Sequence, residues 1–173
     1  EMCIRDRRYM LKIGLLSDTH SFWDDKFHKY FKHCDEIWHA GDIGDISIID
    51  KLSKITTVRA VFGNIDNHII RAEYREDVII TYGENKILMT HIGGKPFAYN
   101  KISRLKIKQH NPNVFICGHS HICKIMHDNQ NQLLFINPGA AGNKGFHRVR
   151  TLVRFELTKH KIQNLEVVEL GTR

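Results

Sequence analysis

Three short apolar runs, at residues 12–16, 36–39 and 57–62, alternate with two segments of helical spacing, and this alternation restricts the fold more than any other feature. Strands that run in the same direction need a crossover between them. A helix supplies it, so a βαβαβ start predicts a parallel sheet with helices on its faces. In residues 24–33 the side chains of Phe27, Tyr30 and Phe31 share one stripe, and in residues 47–54 those of Ile48, Ile49 and Leu52 do the same.

The second half changes character. Runs at 77–82 and 86–90 flank Gly83-Glu84-Asn85, a hairpin signal. Residues 98–110 have helical spacing, with Pro112 just beyond their end. A buried strand is expected at 114–117, and a second hairpin joins 124–127 to 133–136 across Asp128-Asn129-Gln130-Asn131. After the turn Asn137-Pro138-Gly139, residues 150–157 and 161–170 pair as a closing antiparallel meander. The expected fold is α/β (α+β): two mixed sheets packed together with helices outside, in one domain over residues 10–173. Residues 1–9 have no hydrophobic period and precede Met10, which has a strand directly behind it. They are read as a non-native or disordered leader.

Polar strings rich in metal-binding atoms follow these runs. In chain order they are Asp18-Thr19-His20, Gly41-Asp42, Gly63-Asn64-Ile65-Asp66, His91 and Gly118-His119-Ser120-His121. Carboxylate and amide oxygens and imidazole nitrogens suit hard and borderline divalent metals. The ends of strands are where an α/β protein places its site. In extended chain, residues i and i+2 point the same way, so Asp18 with His20, and His119 with His121, can each face one ion. Asp42 offers a carboxylate able to bridge two ions. Each string alone is weak; five in order at strand ends are not.

Composition narrows the function classes. The formal charge of +7 invites a nucleic-acid reading, but Lys and Arg are scattered, and the densest run, 101–108, has helical spacing and reads as a solvated face. Cys34, Cys117 and Cys123 are odd in number beyond Cys3, and no CxxC occurs, which favours a reducing, cytoplasmic setting over a disulfide framework. There is no apolar run near 18 residues, so no membrane partner is expected.

The strings together resemble those of the calcineurin-like metallophosphoesterases, in particular the small single-domain YfcE-type branch, over essentially all of residues 10–170. The resemblance implies a four-layer αββα sandwich with its site along the strand ends of both sheets. It implies that Asp18, His20, Asp42 and His121 hold one metal, and that Asp42, Asn64, His91 and His119 hold another. Asp42, Asn64 and His91 would then serve catalysis. The cofactors implied are two divalent ions, with Mn²⁺ first and Fe, Zn²⁺ or Ni²⁺ as alternatives. The reaction implied is hydrolysis of a small phosphate ester, a diester by preference, by a metal-activated hydroxide without a covalent intermediate. Asn137-Pro138-Gly139 matches a family turn that supports the site. The competing readings are a weak or inert protein-binding scaffold with the same fold, a phosphomonoesterase and a nuclease. Exposed sheet edges leave a homo-oligomer open.

One departure is chemical. Many members of this family carry His after the Gly-Asn of the third string, where this chain has Ile65. General-acid help is worth about 10²–10⁴-fold, so a modest rate and a preference for good leaving groups are expected. His39, His68 and His147 are candidate substitutes. Bland roles are expected elsewhere: His39 in the core or behind the ligands, Asp45 as a helix cap, Asp66 orienting Asn64 or capping a turn, Cys117 as buried packing, and Phe22-Trp23 packing under the first helix. Loops 21–26, 93–100 and 142–148 are expected to wall the substrate.

Overall fold

The computed structural model describes residues 10–173, so the reading of residues 1–9 as a leader lies outside the described residues. Two five-stranded sheets stack face to face. In the first, β1 (Met10–Leu16), β2 (Glu36–His39) and β3 (Thr57–Ala60) run parallel, the long β11 (Val149–Thr158) pairs antiparallel with β1, and β12 (Ile162–Thr172) pairs antiparallel with β11, in the order β12-β11-β1-β2-β3. The second sheet holds β4 (Asp77–Tyr82), β5 (Asn85–Thr90), β8 (Val114–Ile116), β9 (Cys123–Asp128) and β10 (Leu133–Pro138), in the order β4-β5-β8-β10-β9. Its central three strands, β5, β8 and β10, are parallel.

Burial on both faces explains the near-continuous apolar runs of the central strands. Ile13, Leu15 and Trp38 of the first sheet meet Ile87, Met89 and Ile116 of the second in the core between the sheets. On the outer side of the first sheet, Leu16 and Ile37 pack with Phe27 and Phe31 of α1 (Lys26–Phe31), Ile48, Ile49 and Leu52 of α2 (Ser47–Ser53) and Ile70 of α3 (His68–Glu73). Beyond the second sheet, Leu88, Phe115 and Phe135 pack with Ile107 of α4 (Lys101–His110). The result is the αββα layering expected from sequence.

The structure corrects several element boundaries. The helix expected over 98–110 starts at Lys101, because Asn100 caps it by accepting from the Ser103 N–H at 2.8 Å. Ala98–Tyr99 forms instead a two-residue strand, β7, that pairs with β6 (Gly94–Lys95). The helix expected over 24–33 shrinks to Lys26–Phe31. The run at 57–62 ends as a strand at Ala60, with Val61 making a single bridge to Arg75. Helix α3 was not expected, although Asn67 caps it by accepting from the N–H groups of Ile69 and Ile70. Among the described residues no helix is long and apolar enough to cross a membrane.

Candidate metal centre

The parallel strands of the two sheets deliver all seven candidate side chains to one seam. Asp18 and His20 follow β1, Asp42 follows β2 and Asn64 follows β3, while His91 follows β5 and His119 and His121 follow β8. Two compact groups result, Asp18–His20–His121 and Asp42–His91–His119, and in each the potential ligand atoms lie within 4.8 Å of one another. Asp42 sits between them: its Oδ1 is 3.2 Å from His91 Nε2 and its Oδ2 is 3.6 Å from His20 Nε2.

The backbone that makes this possible is not extended. Asp18, His20, Asp42, His119 and His121 all have φ between 47° and 68°, so the i, i+2 argument for their spacing fails. These residues lie past the strand ends, in tight left-handed turns. Asp and His tolerate that conformation better than most side chains, yet it still costs about 1–2 kcal/mol per residue. Strain of this kind collects at functional sites and persists only where surrounding contacts hold it. The contacts here are backbone hydrogen bonds between loops: Asp18 N–H to Gly41 O (3.0 Å), His20 N–H to Asp42 O (3.1 Å) and Gly142 N–H to Asp18 O (3.1 Å).

Protein donors tie one oxygen of each carboxylate and leave the rest to face the cluster. Asp18 Oδ2 accepts from the Ser17 hydroxyl at 2.6 Å and from the His119 N–H at 3.1 Å. Asp18 Oδ1 is fully buried and has no hydrogen-bond partner; His121 Nε2 lies 3.2 Å away. An orphaned buried carboxylate oxygen is costly unless something cationic meets it. His91 donates from Nδ1 to the Ala40 carbonyl at 2.8 Å, which aims Nε2 into the cluster. There Nε2 meets Asn64 Oδ1 at 3.1 Å and Asp42 Oδ1, so lone pairs converge on one point. Burial opposes charge on His91, but Asp42 and Asp18 outweigh it and its pKa is raised. The Asp18 carboxylate likewise raises that of His121, while burial lowers that of His20. Burial also opposes charge on Asp42, yet His91 and the Ile65 N–H hold its pKa below the usual carboxylate value. The carboxylates that favour positive charge at His91 and His121 would favour a dication among the same atoms. The donor set of carboxylate, amide and imidazole fits divalent metals.

Behind the cluster the loops leave no room for side chains. A Cβ on Gly63 would overlap Asp42 Oδ1, and one on Gly118 would overlap the Ser17 hydroxyl. Asn137 donates from Nδ2 to Gly118 O at 2.9 Å and to Ser120 Oγ at 3.0 Å, so the expected supporting turn does brace the loop that carries His119 and His121. Asp66 caps the turn, accepting from Gly63 N–H and Gly44 N–H at 2.7 Å each. Arg71 completes it, donating to the carbonyls of Asp66 (2.7 Å), Gly63 (3.0 Å) and Asn64 (3.2 Å). Arg71 was missed from sequence because its helix was missed; the signal available was Asn67 followed by Ile69 and Ile70.

The three candidate acids part company. His39 is fully buried, with Nε2 on the Thr19 hydroxyl at 3.0 Å and Nδ1 accepting from Gly41 N–H, and burial pushes its pKa down to about 4. It is a core residue behind the site. His68 is exposed at the start of α3. Only His147 reaches the cluster: its ring centroid is 5.2 Å from that of His121, and Nε2 donates to Gly142 O at 2.9 Å. Cys117 is buried and Trp23 packs edge-on against Phe27, as expected. Asp45 accepts from the Ser47 N–H, but the N-cap position of α2 is Ile46, so Asp45 braces the turn before the helix and does not cap it. Phe22 lies instead under the Arg150 guanidinium, 5.0 Å from its ring centroid.

Residues 11–160 match the family model described as the calcineurin-like phosphoesterase superfamily domain. A probable metallophosphoesterase of Methanocaldococcus jannaschii is 33% identical over 139 residues, covering 74% of this chain and 67% of that protein. Among solved structures, a conserved protein of Streptococcus pneumoniae described as a predicted phosphoesterase aligns with a TM-score of 0.63 at 22% identity, over 92% of this chain and 98% of the other. Vps29 of Entamoeba histolytica complexed with Zn²⁺ aligns with a TM-score of 0.66 at 18% identity, over 92% and 99%. At these identities the two structures speak for the fold alone.

Proposed function

The chain belongs to the calcineurin-like phosphoesterase superfamily, and from that premise we propose that it is a metal-dependent phosphodiesterase acting on small phosphate esters. The observation that carries the reading is the orphaned Oδ1 of Asp18, buried where the two ligand groups meet. Asp18, His20, Asp42 and His121 would hold one ion, and Asp42, Asn64, His91 and His119 the other, with Asp42 shared; Mn²⁺ is the activating metal we expect. Bound dications would supply Lewis acidity toward the phosphoryl oxygens and an activated water.

The protein's own part is orientation. Ala40 fixes the His91 ring, Ile65 N–H and Gly63 fix Asp42, and Ser17 with the His119 N–H fixes Asp18. Positions held this firmly need no reorganisation as charge develops on the phosphoryl group. Ile65 is 45% exposed beside Asn64 and brings no proton to the leaving oxygen, which favours esters with good leaving groups. The scaffold reading draws on the likeness to Vps29 and on exposed Ile92 and Ile122, each next to a candidate ligand.

Hydrolysis of bis-p-nitrophenyl phosphate by Mn²⁺-loaded protein separates the two readings. The expected result is turnover that a chelator abolishes and that Asp42→Asn lowers by about 10³-fold. Two bound ions without hydrolysis of any ester would leave the scaffold.

A further inference from the structure

A cavity of about 230 Å³ opens directly beside Asn64 and His91 and shares both as wall. Of the loops expected to wall the substrate, only Asn100 contributes. The rest of the lining includes the apolar Phe62, Ile92 and Ile102 and the charged Arg71, Glu76 and Lys106. Its size limits what it can take. A cavity of about 150 Å³ accommodates benzene, whereas pockets for drug-sized ligands begin near 300 Å³. One ring with its linking atoms fits between these bounds.

The charged residues do not ask for a second anion. Arg71 is occupied by the carbonyls of Gly63, Asn64 and Asp66, and its guanidinium lies over the Phe62 ring with 4.5 Å to the centroid. Lys106 is neutralised by Asp77 at 2.6 Å and Glu76 at 3.7 Å. The neighbouring polar groups are also engaged, Asn100 Nδ2 and Ser103 Oγ both donating to the Ile92 carbonyl. The apolar side chains of the lining stay open to a ligand: Ile92 is 43% exposed and Ile102 is 58% exposed.

Resting on the phosphoesterase reading, we propose that this cavity is the subsite for the organic group of the ester, that the group is a single uncharged ring, and that Ile102 is a specificity-determining residue. The subsite adjoins the Asn64–His91 side of the cluster, so a phosphoryl group held at the seam places its ester substituent at the cavity mouth.

The test varies the group that stays on phosphorus while keeping one leaving group. Mn²⁺-loaded protein should hydrolyse phenyl p-nitrophenyl phosphate with kcat/KM about tenfold above that for methyl p-nitrophenyl phosphate, the effect of partly withdrawing an aromatic ring from water. Ile102→Asp should bring the ratio close to one, and Leu105→Asp, exposed on the same helix but outside the cavity, should leave it unchanged. A ratio near one in the unmodified protein, or equal ratios in the two variants, would overturn the subsite while hydrolysis itself upholds the phosphoesterase reading. If neither ester is hydrolysed the diesterase reading falls, and binding decides the subsite. In a methyl NMR titration, phenylphosphonate should shift the Ile92 and Ile102 methyl signals by ring current where methylphosphonate does not. Absence of such shifts overturns the proposal.

Discussion

The two sheets bring different chemistry to the seam. The first supplies both carboxylates, the amide and one imidazole, in Asp18, Asp42, Asn64 and His20; the second supplies imidazoles alone, in His91, His119 and His121. Neither sheet carries a complete group: Asp18–His20–His121 draws one residue from the second sheet and Asp42–His91–His119 draws two. The difference teaches that charge neutralisation rests on one layer and geometric completion on the other. The contacts that join the layers, such as His119 N–H to Asp18 Oδ2, are therefore as much part of the centre as the ligands.

The sharpest way to break this comparison is to remove one imidazole of the second sheet from each group. His121→Ala and His91→Ala should each lower bound metal from about two ions per chain to about one, measured by elemental analysis after desalting, with hydrolysis down by about 10²-fold or more. If either variant keeps two ions, the groups do not divide as assigned. A smaller effect should come from behind the ligands. Asn137→Ala frees the loop around Gly118 and Ser120, and should weaken metal binding by about 10–100-fold in a competition titration while the fold survives. The smallest effect belongs to the far edge of the first sheet, where Arg59 pairs with Glu36 at 2.6 and 3.0 Å but is half exposed. Arg59→Ala should cost no more than about 1 kcal/mol in denaturant unfolding and leave metal content untouched.

Much of this was legible in the chain. The apolar runs marked the central strands because burial on both faces demands it, and the polar strings marked their ends. The legible signal stopped where tertiary contacts decide local conformation. Asp18 and His20 carry no sequence mark of left-handed backbone; the carbonyls of Gly41 and Asp42 and the Gly142 N–H hold it from other loops. Helix α3 is six residues long and has one buried residue, Ile70, so its periodicity was too short to register, and Arg71 went with it. Ala98 and Tyr99 carry the same apolar spacing as the helix that follows, and only the Asn100 cap separates them.

The pairing of β1 with β11 sets Met10 opposite Thr158, at nearly opposite ends of the described chain. Ala141 N–H also closes on Ser17 O and Gly142 N–H on Asp18 O. During synthesis β1 emerges early and waits with one edge unpaired until β11 follows, and pairings so distant along the chain form slowly. An unpaired edge is a template for other chains in that interval. The Asp18 carboxylate thus reaches its final setting only after Ala141, Gly142 and β11 have been made.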